Sequence, residues 1–168
     1  IIFTNPVGKF WNLECTDTFR IGDTWYVTYS AQDDTLWYAS SENRYGPYGE
    51  PKRLEGKLFY AAKHVEDGEN SYMVGWARRS ESPSSTQDVA AWGGNLVVQK
   101  IIQKENGELV LAPVDALLEQ FDARRQLLIE GSHIFVQAGA RYSYSDVFTC
   151  YESFAITGEF TFTGTGSF

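Results

Sequence analysis

The chain has 168 residues, the length of one ordinary domain, and a formal net charge of −8. This charge argues against a nucleic-acid partner, because such proteins present a basic face to phosphates. No apolar run approaches the roughly 20 residues that cross a bilayer, so we expect no membrane partner. Two Cys and two His without ligand spacing predict no metal site, and we expect no cofactor.

The first predicted strands are recognised by side chains that alternate with a period of two. Residues 25–30 alternate in this way, and residues 36–40 form the next strand. Gly22-Asp23 and Asp33-Asp34 punctuate the first run as turns. The aromatic content of 15% also favours β structure.

Two further hairpins are predicted along the chain. The first occupies residues 59–77 and the second residues 95–113, with turns at 67–70 and 105–108. The hairpins recur at intervals of about 35–40 residues, which is compatible with β-propeller blades of roughly 40 residues. The sequence therefore predicts an all-β fold.

A helical segment interrupts the strands near residues 115–126. Leu117, Leu118 and Phe121 lie near helical spacing, and Arg124-Arg125 come toward the end of the segment, where cations suit the helix dipole. New strands are predicted after it, at residues 127–129, 133–138, 148–156 and 159–162. The segment is thus a predicted boundary between two parts of the chain.

The candidate for chemistry is Glu14, in the run Leu13-Glu14-Cys15-Thr16-Asp17. Glycosidic bond cleavage usually needs two carboxyl groups, one of which protonates the leaving oxygen. That acid must stay protonated near the working pH, which apolar neighbours such as Trp11 and Phe19 would favour. From the residues alone, the alternative is a solvent-facing Glu14 at the start of a strand, with Asp17 capping a turn.

Four motifs in chain order resemble glycoside hydrolase family 32, the fructan and sucrose hydrolases. The first is Glu14-Cys15, where the family usually carries Trp/Tyr-Glu-Cys-Pro-Asp. The other three are Phe59-Tyr60-Ala61-Ala62, Gly75-Trp76, and the run from Trp92-Gly93 through Asn106-Gly107 to Pro113. Together they cover about residues 11–119.

The resemblance implies a specific all-β architecture. It consists of about three blades of a five-bladed β-propeller over residues 1–115, a helical linker over 116–126 and the first strands of a β-sandwich over 127–168. Open propeller edges would invite pairing with another chain, so a dimer is one expectation. Secretion or a periplasmic location is compatible with such an enzyme, although the segment carries no address.

The resemblance also implies an activity and its residues. The parent protein would hydrolyse β-fructosides with retention, and its substrate would be an oligo- or polysaccharide. Glu14 would be the general acid/base, Trp76 would line the fructosyl pocket, and Tyr60 would donate a hydrogen bond near the acid. Asp17 is predicted to hold a neighbouring group, and three aromatic residues are predicted to stack on sugars: Trp37, Trp92 and Tyr48. The alternative for these rings is a place in the core.

The sequence departs from the family in two ways. Thr16 stands where many members carry Pro, and Gln99-Lys100-Ile101 replaces the family's Pro-Arg-Glu. The family's Asn-Asp-Pro-Asn motif, which holds the nucleophile, and its Arg-Asp-Pro motif have no counterpart, since the early Asn5-Pro6 lacks the Asp. We therefore expect the isolated chain to be inactive and to be part of a longer protein.

Two alternative functions follow from these departures. One is a non-catalytic carbohydrate-binding module on the same scaffold. The other is an arabinan or xylan hydrolase, because residues 36–41 with Gly46-Pro47-Tyr48 are also similar to glycoside hydrolase family 43.

Overall fold

The structure is a computed structural model and describes residues 3–6, 8–57, 59–80 and 90–121. These residues form eight strands and one short helix, so the predicted all-β class is confirmed. The chain divides into two units, Ile1–Val114 and Asp115–Phe168, and every described strand belongs to the first. Within the described part of the chain, no helix is long and apolar enough to cross a bilayer.

The first sheet is an antiparallel meander of four neighbouring strands. They are β1 (Glu14–Ile21), β2 (Thr24–Ser30), β3 (Leu36–Ser41) and β4 (Lys52–Glu55). The turn between β1 and β2 is two residues long, and Gly22 adopts φ +56° there. This left-handed conformation is one that Gly accepts without steric cost, as the sequence predicted for this turn.

The second sheet has the same size and order. Its strands are β5 (Phe59–Glu66), β6 (Ser71–Ser80), β7 (Ala90–Gln103) and β8 (Leu109–Pro113). Because β6 pairs with β7, the two hairpins that the sequence separates are halves of one sheet. The described residues therefore form two four-stranded antiparallel sheets, the size of a propeller blade.

The helix α1 (Asp115–Leu118) lies inside the segment predicted to be helical. Residues 122–126 of that segment, and all the strands predicted over 127–168, lie outside the described residues. The predicted domain bounds and the β-sandwich stay predictions.

The two sheets pack face to face over one hydrophobic core. Strand β1 contacts β5 at one side of this interface, and strand β4 contacts β8 at the other. The strands of the two sheets therefore follow the same order across the interface. The core residues are Phe19, Tyr26, Leu36, Tyr38, Phe59, Ala62, Met73, Ile101 and Leu109. Their apolar surface is the main source of stability for the pair of sheets.

Two core tyrosines satisfy their hydroxyl groups across the sheet interface. The Tyr26 hydroxyl donates to the Gly107 carbonyl at 2.7 Å and accepts from the Gln103 amide at 2.7 Å. The Tyr38 hydroxyl accepts from the Leu109 amide at 3.1 Å. Buried polar groups need such partners, so these bonds fix how the two sheets align.

Gly75 occupies the tightest backbone position of the second sheet. A Cβ atom there would lie 2.8 Å from the Tyr60 carbonyl oxygen and 3.0 Å from both the Ala62 Cβ and the Phe59 ring. The absence of a side chain thus lets β5 approach β6 where Tyr60 begins the site described below.

We expect Gly75→Ala to lower the free energy of unfolding by about 1–3 kcal/mol, because the added methyl group overpacks this position. Urea unfolding of the purified chain measures the change. Gly49→Ala is the matched control, since a Cβ at Gly49 would meet its nearest atom, the Ser40 carbonyl oxygen, at an ordinary 3.7 Å. Equal stabilities for the two variants would contradict the packing argument.

Candidate functional site

Two β-bulges, one in each sheet, shape the region around Glu14. The register of β1 on β2 shifts between Glu14 and Asp17, and the register of β5 on β6 shifts between Tyr60 and Lys63. Within the bulges, Cys15 has φ +51° and Ala61 has φ +54°, which is uncommon for residues other than Gly. Bulges re-aim the side chains beside them, and the two bulged strands, β1 and β5, are in contact with each other.

Side chains of each sheet pair with the backbone of the other at these bulges. Asp17 accepts the His64 amide at 2.9 Å, and Lys63 donates to the carbonyls of Cys15 at 3.1 Å and Thr16 at 2.7 Å. Ser30 Oγ accepts the Ala61 amide at 3.0 Å. We call this set of bonds, made by Asp17, Lys63 and Ser30, the bulge seam.

The ring of His64 completes the packing beside the bulge seam. It stacks on Phe19 with ring centroids 4.0 Å apart and planes 6° from parallel. Burial lowers the pKa of His64, while the charges of Glu66 and Asp17 act in the opposite direction. The imidazole is therefore neutral at pH 7. The hydrogen bond between His64 and Asp17 is made by the His64 backbone amide and not by the ring.

Glu14 receives hydrogen bonds on both carboxylate oxygens. The Tyr60 hydroxyl, from the second sheet, donates to Oε2. The Asn12 amide donates to Oε1 at 3.1 Å. Burial first, and then the hydrogen bond and charge of Glu14, raise the pKa of Tyr60 above its usual range, so the phenol keeps its proton and remains a donor.

Trp76 stands beside Tyr60 on the neighbouring strand. The two residues are cross-strand partners, and their ring centroids lie 6.2 Å apart. The indole Nε1 of Trp76 is buried and has no hydrogen-bond partner among the described residues. Tyr60 thus contacts both Glu14 and Trp76. Glu14 supplies a carboxylate to this group of residues, and Trp76 supplies the unpaired N–H donor.

Asp17 belongs to the same region but has its carboxylate engaged. Its Oδ1 accepts the Thr18 amide at 2.8 Å, and its Oδ2 accepts the His64 amide. Both oxygens therefore act on the backbone of the two bulged strands.

Trp37 lies on β3, two strands away from Glu14. Its Nε1 donates to Thr35 Oγ1 at 2.6 Å, the Lys9 ammonium lies 5.1 Å from the ring centroid, and Phe10 meets the ring edge-on at 5.0 Å. The ring lines a cavity of about 330 Å³ with Trp11, Gln32 and Asp33 among its other walls.

The remaining predicted platforms lie elsewhere. The Tyr48 hydroxyl donates to the Arg44 carbonyl at 2.9 Å, and its ring meets Phe3 at 5.9 Å. The side chain of Trp92 lies outside the described part of the chain.

The sequence predicted Asp17 as a site residue but not Asn12, nor Lys63 and Ser30, the other two side chains of the bulge seam. Asn12 lies two residues before Glu14, and residues two apart share a face of an extended segment, so that spacing was an available signal. Lys63 and Ser30 offer no comparable signal, because their partners lie more than 30 residues away in sequence.

Comparison with known proteins shows a distant similarity to a curated enzyme. No protein-family model matches the chain. The chain is 25% identical over 124 residues to a sucrose-6-phosphate hydrolase of Escherichia coli, an alignment that covers 64% of this chain and 26% of the relative. The chain thus spans about a quarter of the length of this curated relative.

We expect Asp17→Ala to lower the free energy of unfolding by about 1–3 kcal/mol, because the backbone amides of Thr18 and His64 lose their acceptor. Urea unfolding measures this change. The matched control is Asp23→Ala, which removes an ion pair between the fully exposed Asp23 and Arg20 and should change stability by about 0–1 kcal/mol. A loss no larger than the control's would show that the bonds of Asp17 add nothing to stability.

We expect stability to fall as the pH rises above about 10, the usual pKa of tyrosine. Burial raises the pKa of both Tyr29 and Tyr60. Above pH 10 the unfolded chain loses protons that the folded chain keeps, so the free energy of unfolding decreases by up to about 1.4 kcal/mol per pH unit per tyrosine. Below pH 10 this contribution to stability is fully present.

Urea unfolding from about pH 9 to about pH 11 measures this slope. Tyr29→Phe and Tyr60→Phe should each make it shallower. A wild-type slope in both variants would contradict the assignment.

Proposed function

We propose that the chain is part of a retaining glycoside hydrolase that cleaves β-fructosidic bonds, with Glu14 as the general acid/base. The observation that carries this proposal is that both carboxylate oxygens of Glu14 accept hydrogen bonds. One comes from Tyr60 in the second sheet, and the other comes from Asn12, which precedes the first sheet. The similarity to a sucrose-6-phosphate hydrolase and the resemblance of the motifs to family 32 support it.

The proposed chemistry begins with a proton on Glu14. Glu14 gives this proton to the leaving oxygen as the glycosidic bond breaks and the nucleophile, an Asp outside this chain, bonds to the anomeric carbon. The proton transfer leaves Glu14 as a carboxylate. The Tyr60 hydroxyl and the Asn12 amide are neutral donors that stabilise this carboxylate without a competing charge. In the second half of the reaction the same carboxylate takes a proton from the attacking water.

Trp76 is proposed to bind the fructosyl unit. Its buried indole N–H has no partner among the described residues, and an unpaired buried donor carries a desolvation penalty of about 1–3 kcal/mol. The indole ring, which is only partly buried, supplies apolar area beside Tyr60 on which a sugar face can pack.

The nucleophile is proposed to be an Asp outside this chain. A retaining enzyme holds its two carboxyl groups about 5–5.5 Å apart. Asp17, the acid nearest to Glu14 in sequence, is a poor candidate because both of its oxygens accept backbone amides. We propose for Asp17 a positioning role, in which it sets the bulges that carry Glu14 and Tyr60.

Because both oxygens of Asp17 accept backbone amides, the isolated chain has no evident nucleophile among its described residues. This favours a second candidate function for the isolated chain, which is sugar binding without hydrolysis. Titration of the 168-residue chain with fructo-oligosaccharides tests it. Binding without turnover supports this reading, and the absence of binding removes it.

We expect Glu14→Gln, made in the longer protein, to lower turnover of unactivated fructosides by about 10²–10⁴-fold, because the amide cannot donate the proton. Substrate affinity should change little, since the amide oxygen still accepts from Tyr60. Steady-state rates and a binding titration measure the two effects. Glu105→Gln, in an exposed turn, is the control and should retain wild-type turnover.

Unchanged turnover in the Glu14 variant would remove this residue from the mechanism. A panel of chromogenic glycosides offered to the longer protein distinguishes fructosides from arabinosides and xylosides. Preference for an arabinoside or xyloside would keep the role of Glu14 and replace the substrate class.

A further inference from the structure

Glu14 does not line the cavity beside Trp37, but two successive hydrogen bonds through Asn12 connect it to the cavity wall. The Gln32 amide, at the cavity wall, donates to the Asn12 carbonyl. The Asn12 side chain in turn donates to Glu14 Oε1 at 3.1 Å. The cavity and Glu14 also share one end of the first sheet, since Glu14 begins β1 opposite Ser30, the last residue of β2.

The walls of the cavity combine one open aromatic ring with polar groups. Trp11 is 87% exposed and lines the cavity. The ring of Trp37, by contrast, is approached by the Lys9 ammonium and the edge of Phe10. Trp11 is therefore the ring with a free face for a ligand, while Gln32 and Asp33 supply polar atoms at the wall.

This combination fits a sugar ring. The C–H face of a sugar packs on an indole, and its hydroxyl groups bond to amide and carboxylate groups. The volume of about 330 Å³ is at the lower end of the roughly 300–1,000 Å³ of ligand pockets, which suits one monosaccharide unit.

The charges of the walls favour a neutral sugar over a phosphorylated one. Lys9 and Asp33 contribute opposite charges to the lining, and the Lys9 ammonium already lies over Trp37 and donates to the Pro51 carbonyl at 3.4 Å. Phosphate sites gather an excess of cationic or N–H donors. The chain as a whole carries a net charge of −8, which further opposes a phosphate dianion.

We propose that this cavity is the subsite for the leaving group of the substrate and that it takes a neutral sugar ring stacked on Trp11. The inference rests on the proposed function, because a leaving group must lie within reach of the acid that protonates it. It adds Trp11 as the residue that determines which leaving group binds.

Calorimetric titration of the 168-residue chain with sucrose and with sucrose 6-phosphate tests this subsite. Sucrose should bind at least as tightly as its phosphate ester. Trp11→Ala should weaken sucrose binding by about tenfold or more, as loss of a central Trp contact commonly does. Trp11→Phe, which keeps a ring, should recover part of the affinity.

The matched control is Tyr45→Ala. Tyr45 is also an exposed aromatic residue, at 71%, and it does not line the cavity. The Tyr45→Ala variant should bind sucrose with wild-type affinity. Because Trp11 is largely exposed, its truncation should leave the fold intact, which the circular dichroism spectrum of the variant checks.

Three outcomes would overturn the inference. Unchanged affinity in Trp11→Ala would remove the stacking, tighter binding of sucrose 6-phosphate would contradict the charge argument, and no binding of sucrose would remove the subsite. None of these decides the proposed function, which depends on turnover by Glu14→Gln in the longer protein. Conversely, loss of sucrose affinity in Trp11→Ala together with wild-type turnover in Glu14→Gln would retain the sugar site and remove Glu14 from the mechanism.

Discussion

The described site depends on the way in which two bulged strands satisfy each other's backbone. At the bulge seam, Asp17 and Lys63 reach from opposite sheets to amide and carbonyl groups of the facing strand. The amides of Ala61 and His64 are partly buried at this interface, and a backbone donor shielded from water is destabilising without a partner, so the seam favours the arrangement in which the two strands face each other. The conformations of Cys15 and Ala61, unusual for their residue types, are held by the same bonds.

The bulge seam also explains why the second sheet needs Gly75. The bulge in β5 brings the Tyr60 carbonyl to within 2.8 Å of the place where a Cβ of Gly75 would stand. Trp76, the next residue, then lies beside Tyr60 with its indole N–H unpaired among the described residues. The backbone packing of Gly75 and the position of the hydroxyl that meets Glu14 thus depend on the same bulge.

The strands of the fold could be predicted from the sequence because their signals are local. Alternation over residues 25–30 and the Gly22-Asp23 turn depend on neighbours a few positions away, and β2 and the first turn are found there. The grouping of hairpins into sheets was not predictable in this way. It depends on the pairing of β6 with β7, which joins two segments that nothing in their composition assigns to one sheet.

The residues of the site also fall into those that the sequence could indicate and those that it could not. Glu14, Tyr60 and Trp76 were singled out by resemblance to a family, whereas the bonds that orient them come from Asn12, Lys63 and Ser30. Alternation of side chains does not predict a bulge. The extra residue of a bulge moves each following side chain of the strand to the opposite face of the sheet. The cavity beside Trp11 likewise depends on how the segment before β1 meets the turn after β2.

The hydrogen bond from Tyr60 to Glu14 joins residues 46 positions apart in the chain. Contacts of this separation form late in folding, because a long loop must close before they contribute. A chain in which only the first sheet has formed would display Glu14 on an edge strand without its phenol partner. The carboxylate of Glu14 therefore meets this phenol only in the docked pair of sheets, and its local environment is a product of tertiary rather than local structure.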